Sequence, residues 1–105
     1  MFSVTYEIVT ERSSRHGDFA ESGFISENVS LRDAIRDVQA TRTCHVGGVE
    51  CVEASDSNVG DARWITVQNS MEYRTGAQES RSIHFPDNLT SATRVRIARI
   101  LGVHV

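Results

Sequence analysis

Arg63-Trp-Ile-Thr-Val-Gln68, Met71-Glu-Tyr-Arg-Thr75 and Ser80-Arg-Ser-Ile-His-Phe85 follow one another as three segments of alternating character. A period of two is the signature of a strand with one buried face. It puts Ile65 and Val67 on one side of the first segment and Trp64, Thr66 and Gln68 on the other. In the second, Met71 and Tyr73 stand apart from Glu72 and Arg74. Asn69-Ser70 and Gly76-Ala77-Gln78 supply turn residues, and Pro86 stops the run because it cannot donate to a ladder. The spacing predicts a C-terminal three-strand antiparallel meander.

Working outward, Phe2, Val4, Tyr6 and Ile8 alternate with Ser3, Thr5 and Glu7, which predicts a first strand over 2–9. The stretch from Thr10 to Ser22 is polar and reads as a long loop, with Gly23-Phe-Ile-Ser26 as a short second strand. Ser30 is placed to cap a helix whose apolar residues Leu31, Ala34, Ile35 and Val38 fall at i, i+3, i+4 and i+7. That helix is expected to run from Leu31 to about Ala40. Val49-Glu-Cys-Val-Glu-Ala54 reads as a strand, and 54–62 as the loop into the meander. A final helix is expected over 91–101, capped by Thr90 or Asn88 and ended by Gly102, with Thr93, Ile97, Ile100 and Leu101 on its apolar face. Strands in sequence with two helices indicate α+β: a single antiparallel sheet with both amphipathic helices packed on one face. The predicted core joins Leu31, Ile35, Val38, Ile65, Val67, Ile83, Ile97, Ile100 and Leu101.

At 105 residues the chain reads as one domain, 1–105. No apolar run approaches the ~20 residues of a membrane span, and the N-terminus lacks the pattern of a signal peptide. A cytoplasmic location is the expectation. All eleven basic residues are Arg, a compositional bias of GC-rich genomes, and the formal net charge is −3. An acidic total argues against indiscriminate nucleic-acid binding, since phosphate-tracking proteins carry surplus positive charge.

Chemical motifs are sparse. Cys44-His45 and Cys51 lack the paired spacing and the ligand number of a zinc site, so free thiols are expected, with no metal and no cofactor. His16, Asp18 and Glu21 lie in a polar stretch with no evident means of shifting a pKa, so no catalytic residue is assigned and no enzyme is expected. Arg94, Arg96 and Arg99 on the last helix offer a nucleic-acid-binding face, against the bland reading of a solvated helix near its negative end. Trp64, Thr66, Gln68, Glu72 and Arg74, on the sheet face away from the helices, offer a protein-binding face, because Trp, Tyr and Arg dominate interface energies. Folding of Trp64 under the 54–62 loop stands open beside that reading.

Ala62-Arg-Trp-Ile-Thr-Val67, Glu79-Ser-Arg-Ser82 and Arg94-Val-Arg-Ile-Ala-Arg-Ile100 give the last half of the chain a character that resembles small orphan proteins of phages and prophages of GC-rich proteobacteria. That group includes anti-CRISPR and other host-takeover proteins. The resemblance implies a non-enzymatic interaction protein that binds and inhibits or modulates a host protein. A homodimer stays open, and a small nucleic-acid-binding regulator is the alternative.

Overall fold

The computed structural model describes residues 1–10, 19–43, 49–54, 59–69 and 77–102. In chain order these form β1 (Phe2–Thr10), β2 (Phe19–Val29), α1 (Leu31–Thr43), β3 (Val49–Ala54), a 3₁₀ turn (Val59–Asp61), β4 (Trp64–Asn69), β5 (Ala77–His84) and α2 (Ser91–Leu101). The strands make one five-stranded sheet in the order β2-β1-β5-β4-β3, and every neighbouring pair is antiparallel. The fold is therefore α+β, with β1 and β5 adjacent near the middle of the sheet.

Register sorts the side chains into two faces. Val4 stands opposite Ile83, and Ile83 opposite Ile65, so three fully buried residues share one row of the inner face. Val67 and Phe2 are also buried, the latter with its ring edge-on to Phe85 at 6.3 Å. A T-shaped pair of this kind adds about 0.5–1.5 kcal/mol to the burial of the rings themselves. α1 lies against β5, β1, β4 and β2. It buries Ala34 and Val38 and half-buries Leu31 and Ile35. Its start is capped as the sequence predicts: Asp33 N–H donates to Ser30 Oγ at 3.3 Å. α2 buries Ile97, Ala98 and Leu101 in the same core, and its inner side also meets the 3₁₀ turn. Thr90 caps it by accepting the Thr93 N–H at 3.3 Å. Gly102 closes it at φ 99°, where any Cβ would be strained.

Three expectations need correction. The first and third strands of the expected meander, β4 and β5, pair directly with each other, with Ile65 opposite Ile83 and Gln68 opposite Ser80. The third neighbour in that run is β3, paired to the other side of β4, so the C-terminal meander is β3-β4-β5. The segment 71–75, expected as its middle strand, lies outside the described residues. Second, the short strand expected at 23–26 is eleven residues long. Its period is broken by register shifts opposite Phe2/Val4 and Val4/Thr5, and bulges of this kind hide alternation from a sequence reading. Gly23 fits within it because a Cβ there would stand 3.1 Å from Cε1 of Tyr6, whose ring lies across that position. Third, Ile100 is 49% exposed and lies outside the core. At 100° per residue the buried stripe of α2 centres on 94, 97, 98 and 101, which turns position 100 to its flank.

Candidate docking face

The sheet's outer face is built from the residues that alternate with the core. Three rows cross it, each set by register. Ser3, His84 and Trp64 make the first, and Phe24, Thr5, Ser82 and Thr66 the second. Ser22, Glu7 and Ser80 make the third, where Gln68 holds the next register position. Adjacent strands are about 4.8 Å apart, so the second row spans about 14 Å from Phe24 to Thr66. Its floor is hydroxylic and already ordered. Thr66 Oγ1 and Ser82 Oγ share a hydrogen bond of 2.7 Å, and Thr5 Oγ1 shares one of 2.8 Å with His84 Nε2. Above this floor lies an open groove of about 600 Å³, edged by Phe24, Glu7 and His84.

Aromatic side chains stand on the same face. Trp64 is 36% exposed, its ring centroid 6.2 Å from that of His84 at an interplanar angle of 39°. The Arg63 guanidinium carbon sits 5.5 Å from the Trp64 ring centroid, a cation–π distance. Of the 54–62 loop, Val59–Asp61 packs against α2 and Val59 joins the core, while 55–58 lie outside the described residues. Phe24, at the β2 end, is 62% exposed. Sequence reading placed Phe24 on a short strand but did not assign it to this face, because the face it shares with Thr5 is set by pairing and not by the strand's own pattern. It missed Thr5, Glu7 and His84 because strand order, which brings β1 beside β5, is not written in local periodicity.

Partial burial lowers the His84 pKa below its ordinary 6.5 and keeps the imidazole neutral near neutral pH. The folded state thus binds this proton more weakly than the unfolded chain does. His84 then contributes stability that is fully present above about pH 6.5 and lost as pH falls through the folded-state value. Urea denaturation at about pH 7.5 and 5.5 should show His84→Gln losing less stability on acidification than the parent. Equal losses in both would mean that His84 does not titrate in this way. At the sheet's β2 side, the Tyr6 hydroxyl donates to Glu21 Oε1 at 3.0 Å, and that bond raises the phenol above its usual 10.

The remaining sequence candidates divide clearly. Thr66 is half-buried and bonded to Ser82. Glu72 and Arg74 lie outside the described residues, as do Cys44, His45, His16 and Asp18. Cys51 is a β3 residue. The three arginines of α2 do not act together. Arg94 Nε donates to Leu89 O at 3.1 Å, Nη1 to Ala62 O at 2.9 Å and Nη2 to Asp87 O at 3.2 Å. All three nitrogens pin the start of α2 to the backbone before it, while Arg96 and Arg99 are exposed. No described helix is long and apolar enough to cross a membrane. Comparisons with protein-family models, curated proteins and solved structures find no match, so what the face can do must be read from its own residues.

Proposed function

We propose that the chain is a non-enzymatic interaction protein that binds a host protein through the outer sheet face and inhibits or modulates it by occupancy, in the manner of phage anti-CRISPR proteins. The observation that carries this reading is Trp64: a half-exposed indole on a strand, braced between His84 and Arg63. Hot spots are large, pre-positioned aromatic and Arg side chains surrounded by polar groups that need little reordering on binding. The Thr66–Ser82 and Thr5–His84 bonds supply such surroundings. The nucleic-acid alternative loses ground for a specific reason. Arg94 is engaged with three carbonyls, which leaves Arg96 and Arg99 to hold phosphates in a chain of net charge −3.

Capture of host proteins from a proteobacterial lysate identifies the partner, and titration with the purified partner tests the face. Trp64→Ala should weaken binding by about 2 kcal/mol or more, roughly thirtyfold. Arg96→Ala with Arg99→Ala should stay within a few-fold of the parent. The reverse pattern, with salt-steep DNA binding abolished by the Arg pair, would replace this reading with the nucleic-acid one.

A further inference from the structure

We infer that the groove beside Trp64 receives a basic side chain, arginine or lysine, presented by the partner protein and held between the Phe24 ring and the Glu7 carboxylate. This rests on the outer sheet face being the docking face.

Charge points there first. Among the described residues the groove's lining contains no Arg or Lys. Its ionisable groups are Glu7, which is exposed, Glu79, which is buried and paired to Arg81, His84 and Tyr6. A phosphate or carboxylate entering the groove would therefore meet a carboxylate and, among the described lining residues, no arginine or lysine. The chain as a whole repeats this pattern. β1 and β2 carry Glu7, Glu21 and Glu27 and no basic residue, whereas α2 carries three Arg and no acid. The intervening 11–18 segment holds Glu11, Arg12, Arg15 and Asp18, which cancel formally. β1 and β2, which supply Glu7, Ser22 and Phe24 to the groove, thus bring only negative formal charge to it.

Shape and chemistry agree with the charge. A guanidinium or ammonium is favoured over an aromatic face, with carboxylate and hydroxyl oxygens to accept its N–H bonds. Phe24 supplies the ring, Glu7 the carboxylate, and Ser22, Ser80 and Thr5 the hydroxyls. Phe24 is exposed on the outer face opposite Thr5, and Ile25, the extra residue at the register shift beside it, is exposed as well. Bulges of this sort re-aim side chains next to binding sites. About 600 Å³ admits one long side chain with part of its backbone. A purely apolar occupant would leave the hydroxyl floor and Glu7 desolvated without new partners, a cost that such a ligand cannot offset.

The probe is N-acetyl-L-arginine amide, with N-acetyl-L-citrulline amide as the uncharged isostere, titrated into the ¹⁵N-labelled full chain. Saturable shifts at Thr5, Glu7, Phe24 and Ser82 are expected for arginine. Citrulline, and arginine with Glu7→Gln, should bind about tenfold more weakly, the order expected when one charge-assisted contact is lost. Phe24→Ala should weaken arginine binding while leaving the spectrum otherwise folded. Equal binding of citrulline, indifference to Glu7→Gln, or shifts centred on Glu27 or Asp33 would overturn the inference. So would groove shifts produced by raising protein concentration alone, because the occupant would then be a second copy, offering Arg96 and Arg99. The two readings fail separately. A groove that ignores arginine while Trp64→Ala still abolishes host-protein binding removes this inference alone. Intact host-protein binding by Trp64→Ala removes the docking face and leaves the arginine titration to stand as chemistry of the groove.

Discussion

Glu79→Ala is expected to destabilise the fold by about 3–5 kcal/mol, the range for breaking one side of a buried ion pair. Glu79 is only 6% exposed, and its carboxylate accepts from Arg81 Nε two residues along β5. Arg81 also reaches across to α1, where Nη1 donates to Asp37 O at 2.8 Å. Removing the carboxylate leaves a largely buried guanidinium with the neutral Asp37 O as its remaining hydrogen-bond partner among the described residues. Because the Arg81 side chain keeps some access to water, the lower half of the range is the better expectation. Glu79→Leu combined with Arg81→Met should restore most of the loss, since neither member of the pair is then left facing a missing partner. Equilibrium urea denaturation checks both. A loss under about 0.5 kcal/mol for the single variant, within the usual scatter of surface substitutions, would show that the pair does not act as a unit.

Ile83→Ala should cost about 2–5 kcal/mol, the range for truncating a fully buried aliphatic residue. Ile83 has no exposed surface and sits at the centre of the row between Val4 and Ile65, with strands on both sides that cannot move in to fill the void. The informative comparison is a ranking. Ile35→Ala, half-buried on α1, should fall in between, and Ile100→Ala should change stability by no more than about 0.5 kcal/mol. A large effect at Ile100 would show that the outer side of α2 is covered by something other than solvent.

Local elements with strong chemical punctuation were legible in the sequence. α2 runs over 91–101 with Thr90 and Gly102 as its caps, because Thr at an N-cap and Gly in a left-handed C′ position each answer a local backbone demand. β3 was read as a strand over 49–54, and the inner faces of β1 and β4 followed from alternation. The α+β class followed from the order of the elements. β2 was legible only as the short piece 23–26, since its two register shifts break the period that would have announced its full length. The pairing of β4 with β5 did not follow either, because the Asn69-Ser70 turn chemistry argued for a hairpin too early. Of the candidate site, Trp64 and Thr66 were legible from one strand alone. His84, Thr5, Glu7 and Phe24 join them only through strand order, a non-local property that periodicity does not encode.

That strand order also governs when the molecule can exist. β1 is synthesised before one of its two neighbours, β5, with β2, α1, β3 and β4 made in between. On a ribosome, β1, β2 and α1 can begin to associate, but Val4 and the open edge of β1 must wait until Ile83 and its strand have emerged. Pairings between distant segments carry a loop-closure cost before any contact rewards it, and such topologies fold slowly. Each row of the outer face passes through β5, by way of His84, Ser82 or Ser80. A nascent or truncated chain ending before Ala77 therefore has no outer face to offer, whatever else in it has folded.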